Sequence, residues 1–423
     1  MLQNQTEPHF MTRREFENLI LSIVTAVCVV PIVYSLSFLI KKYFALVLNL
    51  KIAAIGPWWL LIPFTLGGIL VGVIVWHIAP ESEGPGLHIV IAAFNKRDGN
   101  LRLRTGFSKY VTTLITLGSG APTGIVSPSA LLGNAVASYL GSIIRIDPDR
   151  QKTLSLCGMA AALSTLLQTP FGAALFAVEV VYGNYILYKR FFYCLASSVT
   201  AYILTYFFRL QTAYFEVTLF NPVVTPKILF FIIGTALMTV FINIGYIFLY
   251  QKIHDFFFEH SWEEKNWLKP VVGMVSAALI MAPFYSLFTE FQVVGGGYYP
   301  LEVIAAAPLH QIVAVIVIII FATSLIAGAG GSGGLFMPVM MVGVLLGIIS
   351  ASLTSSYYLL FVIVGMSAAL CTTLNVPLAS AILCIELFGP PAVLPSVIGS
   401  LTGYLLAKRY VIYHEIRWEE LKE

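Results

Sequence analysis

The residues with chemistry to offer sit in two short turns that the chain writes twice. Gly124-Ile125-Val126-Ser127-Pro128, with Gly133 after it, recurs as Gly334-Leu335-Phe336-Met337-Pro338 with Gly343. A Gly-x-x-x-Pro turn that opens an apolar helix leaves the first-turn N–H groups without an intrahelical acceptor. The helix dipole adds about half a positive charge at the same end, and such an end binds anions. Two ends converging from two repeats would form an anion site of backbone groups and hydroxyls, with no basic side chain. That suits conduction, because an Arg or Lys in a dry pore would hold the ion too tightly to release it. The plainer reading is close helix packing through small residues. Register argues against packing alone: Gly158-Met159-Ala160 and Gly365-Met366-Ser367 follow the two turns at matching places. Gly158 and Gly365 each stand 12 residues before a proline, Pro170 or Pro377, and 21 before a glutamate, Glu179 or Glu386.

The elements that hold these turns must lie in a membrane. Of 423 residues, 58% are hydrophobic and 11% charged, with a mean hydropathy of +0.86; soluble domains carry about 25% charged residues. The net charge of +3 gives no reason to expect nucleic acid as a partner. Arg and Lys collect at Arg13-Arg14, Lys41-Lys42, Lys96-Arg97, Arg145 to Lys152, Lys189-Arg190, Lys265 to Lys269 and Lys408-Arg409, which read as loop or terminal positions. The polar start 1–18 reads as a cytoplasmic segment ahead of a retained first helix, since no cleavage site follows it. Runs able to cross a hydrocarbon core of about 30 Å stand at 19–40, 58–78, 228–250, 270–288 and 310–327. Between them lie shorter Gly- or Pro-bounded apolar pieces, most of them too short to span upright, at 127–144, 153–167, 170–182, 335–349, 357–374 and 377–388. A helix can end inside a membrane only against protein or a water-filled cavity. The short helices therefore surround something, and repeated halves broken by Gly and Pro place a transport site between them. No Asp, Glu, Lys, Arg or His occurs at 118–144 or 311–385, so the site there works through backbone groups, hydroxyls and helix ends.

Other signals point away from competing chemistries. The five cysteines are widely spaced in apolar segments and indicate neither disulfides nor a metal site. His77, His88 and His310 stand apart and form no ligand spacing, and no cofactor is expected. Gly328 to Gly333 satisfies G-x-G-x-x-G but follows an apolar helix, with no acid before Glu386, so the nucleotide reading fails its context. An intramembrane enzyme would need an HExxH, paired aspartates or a nucleophile–base pair, and none is present. Glu179 and Glu386 could carry protons; the structural alternative is carboxylates satisfied by backbone or hydroxyl donors. Residues 254–269 mix both signs with aromatics and read as a solvated loop. Gly68 and Gly72 read as a helix-packing pair.

With these motifs in view, the chain resembles a known family. Gly-Leu-Phe-Met-Pro at 334–338 is similar to the Gly-x-Phe-x-Pro motif of the CLC chloride channels and chloride/proton exchangers. Gly118-Ser119-Gly120 followed by residues 124–128 resembles their Gly-(Lys/Arg)-Glu-Gly-Pro region. Gly84-Pro85-Gly86-Leu87-His88 resembles their Gly-Ser-Gly-Ile-Pro motif, and Gly295-Gly296-Gly297-Tyr298 their triple-glycine turn. The resemblance implies an all-α polytopic membrane protein, an inverted repeat of short tilted and broken helices. It would be a homodimer in the lipid bilayer of the cell membrane with one pore per subunit, both termini cytoplasmic. It sets a transmembrane domain over 19–410, with halves 57–210 and 226–410, and a C-terminal cytoplasmic helix at 411–423; no CBS domains are expected. Backbone N–H groups of Leu335 and Phe336, and of Ile125 and Val126, would hold chloride, with bromide and nitrate as further anions.

The departures from the family carry as much as the matches. The gating glutamate of the family falls at Val126, and the inner proton-delivering glutamate of its exchangers at Val180. The family's central serine, whose hydroxyl donates to the anion, falls at Pro85, which has neither side-chain donor nor N–H; in this respect the chain resembles the nitrate-preferring plant members. The family's inner tyrosine falls at Tyr413, with Tyr410 the alternative and an interfacial belt role the competing reading. A passive anion channel or uncoupled uniporter is the expectation. The alternative is an exchanger using Glu179 or another acid.

Overall fold

The computed structural model describes residues 12–49, 53–182, 187–210, 225–259, 262–290, 294, 301–354 and 357–413. The chain runs α1 (Arg13–Asn49) and then, within the expected first half, α2 (Leu61–His77), α3 (Leu87–Lys96), α4 (Leu103–Gly118), α5 (Val126–Ile144), α6 (Pro148–Leu167), α7 (Pro170–Tyr182) and α8 (Tyr188–Phe207). The second runs α9 (Pro226–Glu259), α10 (Lys269–Met281), α11 (Tyr285–Glu290), α12 (Leu301–Ala306), α13 (Leu309–Gly328), α14 (Phe336–Thr354), α15 (Tyr358–Leu374), α16 (Pro377–Phe388) and α17 (Val393–Ala407). The helix α1, of 37 residues, precedes the expected first half at 57–210, and α9, of 34 residues, opens the expected second half.

The repeat seen in sequence is a repeat of helix boundaries. Gln168 ends α6 and Asn375 ends α15, both in the left-handed conformation with φ of 56° and 54°, and each amide returns to the helix at 2.9 Å, to Ser164 O and Cys371 O. Pro170 and Pro377 then open α7 and α16, where a missing N–H costs nothing because first-turn donors have no helical acceptor. Glycine also sets how the helices cross. Gly133 of α5 meets Gly158 of α6, and Gly343 of α14 meets Gly365 of α15; a Cβ on any of the four would strike the facing carbonyl. Lipid tails give no hydrophobic drive for helices to associate, so contact of this closeness is what holds them together. Gly68 and Gly72 likewise lie against Val271 and Trp267, beside the start of α10.

Several expectations change. Two of the short pieces extend: α6 starts at Pro148 and has 20 residues, and α14 runs on to Thr354 with 19, whereas α5 and α15 keep the expected bounds to within one residue. Asp147 is the reason for α6: its side chain caps the Arg150 N–H at 3.0 Å, and the helix starts inside a stretch that reads as a charged loop. The first span is not 19–40 but the whole of α1, running through Pro31. Residues 254–259 are not loop but the end of α9, and Lys269 is buried. The Gly295–Tyr298 turn, residues 1–11 and residues 414–423 of the expected C-terminal helix lie outside the described residues; 411–413 are not helical.

Charge gathers on one face. Arg14 pairs with Asp147 at 2.6 Å, Arg150 with Glu17 at 3.4 Å, Lys189 with Glu15 at 3.2 Å, Arg190 with Asp149 at 2.5 Å, Lys152 with Asp98 at 3.2 Å and Arg97 with Glu81 at 3.1 Å. These pairs tie the start of α1 to the starts of α6 and α8. Most are exposed, and each contributes little to stability alone; as a network they fix which end of the bundle is the basic end.

Candidate anion site

The two repeated turns clasp each other. Gly124 N–H donates to Gly334 O at 2.7 Å and Gly334 N–H returns to Gly124 O at 2.6 Å, a single antiparallel bridge between the halves. This bridge brings the start of α5 against the start of α14. In each helix the first bond comes late: Ser129 N–H to Ile125 O and Val339 N–H to Leu335 O, both at 3.0 Å. The N–H groups of Val126, Ser127, Leu335, Phe336 and Met337 have no acceptor among the described residues. Two helix N-termini with free donors, in an apolar surrounding, form an anion-attracting junction.

A third start joins them. Gly86 caps α3 at φ +107°, and its Cβ position would lie 3.3 Å from Ser127 O and 3.4 Å from Pro128 Cα. Only a residue without a side chain lets the Gly84-Pro85-Gly86 loop approach α5 this closely. The loop itself is held from behind by Lys109 of α4. This side chain is fully buried and donates to Ser82 O at 3.2 Å and to Gly84 O. A site with no basic side chain nearby was expected; a lysine stands behind the loop, because the charge-free stretch begins nine residues later at Gly118. Lone lysines in apolar helices are costly and face the interior, and that was the signal available in sequence.

Beneath the loop is a cavity of about 260 Å³, lined among others by Glu81, Glu83, Pro85, His88, Tyr250, His254 and Tyr413. Since Glu81 belongs to the ion-pair network, the cavity opens toward the basic face. The Tyr413 ring is 5.7 Å from that of His88 and 6.5 Å from that of Tyr250; Tyr410 is exposed and packs on Phe248 at 5.6 Å. The structure thus brings Pro85 and Tyr413 to one cavity and leaves Tyr410 outside it. In sequence His88 reads as isolated. The fold brings it near His254, with its Nδ1 buried and unpartnered; among the described residues no cluster fit to hold a metal forms. Glu83, in the connection between α2 and α3, accepts no hydrogen bond from a described residue, and burial pushes its carboxyl up to about 7 against the pull of Lys269 and Lys109.

Val126, Ile125, Leu335 and Phe336 are all buried at the clasp, Phe336 edge-on to Phe176 at 5.4 Å. Val180 is buried in α7 and does not line the cavity. Its neighbour Glu179 accepts from Leu378 N–H at 3.0 Å and Ala379 N–H at 2.6 Å, at the start of α16. Glu386 of α16 does the same for Phe171 and Gly172 at the start of α7, at 2.9 and 2.6 Å. The two glutamates are reciprocal helix caps across the repeat, charge-assisted bonds to donors that would otherwise be orphaned.

The geometry has counterparts. A chain described as the H(+)/Cl(−) exchange transporter ClcA of Klebsiella pneumoniae is 27% identical over 389 residues, 85% of this chain and 80% of that one. An uncharacterised protein of Methanocaldococcus jannaschii is 27% identical over 363 residues, 85% and 88% of the two chains. The crystal structure of a CLC-type fluoride/proton antiporter superposes with a TM-score of 0.80 at 18% identity, covering 96% of this chain and 99% of that one. The family model for the voltage gated chloride channels matches residues 67–408, so the clasp, the cavity loop and both repeats lie within the match, and the chain belongs to the CLC family of membrane anion transporters.

Proposed function

We propose that this chain passes monovalent anions, chloride first, down their gradient, with no stoichiometric proton movement. The observation that carries the reading is the occupation of the acids. Hydrocarbon stands at Val126 and Val180, where the family resemblance sets the two glutamates of an exchanger. The nearby carboxylates Glu179 and Glu386 each have both oxygens committed to helix-start N–H groups. A proton relay needs a group free to take and return a proton along the path, and a carboxylate serving as a cap loses its bonds when it does so. Chloride would rest against the free N–H groups at the starts of α5 and α14 and reach them through the cavity beside Pro85 and Tyr413.

An exchanger routed through Glu179 is the alternative. Sealed liposomes separate the two by reversal potential, measured first in a chloride gradient and then in a proton gradient. The expected result is a potential set by chloride alone, unchanged in Glu179→Gln. Proton movement against its gradient, driven by chloride and lost in Glu179→Gln, would establish the exchanger instead.

A further inference from the structure

We infer that the Ser127 hydroxyl is an anion ligand, supplying from the first turn of α5 the donor that Pro85 cannot supply from the loop before α3. The inference rests on the anion-transport reading and adds the side chain that sets affinity and selectivity within it.

Two departures from the family motifs are involved, and the fold puts them side by side. Pro85 stands where Gly-Ser-Gly-Ile-Pro has serine, so a hydroxyl is lost. Ser127 stands where Gly-(Lys/Arg)-Glu-Gly-Pro has its second glycine, so a hydroxyl is gained. The Gly86 loop touches the Ser127 backbone, with 3.3 Å from the Gly86 Cβ position to Ser127 O. On its other side, the Ser127 Oγ lies 2.5 Å from where a Gly334 Cβ would be. Ser127 therefore stands at the meeting of all three helix starts.

Its hydroxyl is 2% exposed as a residue and has no hydrogen-bond partner. Many serines and threonines in these helices donate back to a carbonyl one turn earlier, as Ser22 does to Leu19 O at 2.7 Å, Thr112 to Ser108 O at 2.8 Å and Ser119 to Ile115 O at 2.7 Å; Thr116, Ser129, Ser155 and Ser324 are buried and unpartnered as well, and what sets Ser127 apart is its place at the three helix starts. Ser127 makes no such bond, because one turn earlier the chain is still in the clasp rather than in a helix. A buried O–H without an acceptor is costly to leave unmade. Here it stands among free N–H groups and no carboxylate, so an anion is the acceptor that satisfies it. Thr123, 7% exposed, is also unpartnered, beside Gly333; it lies ahead of α5, outside the helix turn that carries the free N–H groups, and serves as the comparison.

The test is chloride and nitrate titration calorimetry on the detergent-purified chain, together with the chloride-to-nitrate flux ratio in liposomes. Ser127→Ala, which keeps the helix, and Ser127→Gly, which restores the family residue, should weaken chloride binding roughly 5- to 10-fold, one net hydrogen bond. Nitrate should be affected less, because it is more weakly hydrated. Ser127→Thr should retain wild-type affinity. Pro85→Ser added to Ser127→Gly should recover most of the loss, returning the donor to the family's position. Thr123→Val should leave both affinities unchanged. Chloride affinity and flux ratio equal to wild type in both Ser127→Ala and Ser127→Gly would overturn the inference while leaving anion transport intact. A loss in Ser127→Gly that Pro85→Ser does not recover overturns the shared donor role. A wild-type chain that binds and passes no anion removes the transport reading itself, and this inference with it.

Discussion

The clasp and the cavity below it adjoin through the Gly84-Pro85-Gly86 loop and are built from opposite materials. At the clasp, Gly124 and Gly334 face each other through backbone bonds of 2.7 and 2.6 Å, and the side chains around them are hydroxyl or hydrocarbon. In the cavity stand Glu81, Glu83, His88 and His254, with Lys109 and Lys269 buried nearby. The difference follows from where charge is affordable. A full charge in a dry site must be desolvated and then binds its counter-ion tightly, whereas a helix start offers a fixed partial charge that no change of pH removes. Among the described residues these titratable groups stand around the cavity and not at the clasp. On the proposed reading, holding the ion and regulating its approach would fall to different chemistry in adjacent regions.

The largest effect should come from breaking the clasp. Gly334→Val would set a Cβ 2.5 Å from Ser127 Oγ, 2.6 Å from Ser127 Cβ and 3.0 Å from Ser127 N; the hydroxyl can rotate away, but the Cβ and the backbone nitrogen cannot. Destabilisation of several kcal/mol and loss of flux are expected, read by thermal unfolding in detergent and by liposome efflux. Wild-type flux in this variant would mean that the two starts need not be held together.

Next is Val126→Glu, which imports a titratable group into the region that lacks one. An ionised carboxylate there competes with the anion and a protonated one does not. Flux should fall at least about tenfold at neutral pH, one unit of competition at 1.4 kcal/mol, and recover in acid. Equal flux at pH 5 and pH 7.5 would remove Val126 from the path.

The cavity should already behave this way, more weakly. With its carboxyl pushed up to about 7, Glu83 is neutral below that pH and an anion above it, so chloride entry should fall as pH rises through about 7. Coulomb repulsion over roughly 10 Å at an effective dielectric constant near 20 is about 1.7 kcal/mol before salt screening, so a few-fold change is expected. Glu83→Gln should flatten the profile at its acid-side level. A wild-type profile that is flat between pH 6 and 8 breaks the contrast between the regions.

The smallest effect concerns the cavity wall. Tyr413→Ala should widen the route and raise flux about twofold, and Tyr413→Phe should keep the width while weakening anion binding by about 1 kcal/mol. Tyr410→Ala should change neither. Flux gain in Tyr410→Ala alone, measured in the same efflux assay, would transfer the role to Tyr410.

What could be read from residues alone was the part governed by local rules. Helix starts at Pro170 and Pro377 follow from their missing N–H and fixed φ, and a composition of 58% hydrophobic residues leaves only a membrane as solvent. The free helix-start N–H groups at residues 124–128 and 334–338 needed only the spacing of Gly and Pro, since orphan N–H groups belong to any helix start. The glutamates at 179 and 386 were visible, but the helix starts they cap, some 200 residues away, were not.

Tertiary structure decided everything that depends on who faces whom. That Lys109 stands behind the Pro85 loop, that His88 meets Tyr413, and that Ser127 lies between Gly86 and Gly334 are contacts across 25 to 27, 325 and about 40 to 200 residues of chain. No periodicity encodes such pairs, because a helix fixes which of its residues share a face but not which helix that face meets. The sequence determined two anion-attracting helix starts in a membrane chain. Only the reciprocal bonds between Gly124 and Gly334 made them one site, because backbone donors of fixed direction act together only where packing points them at the same place.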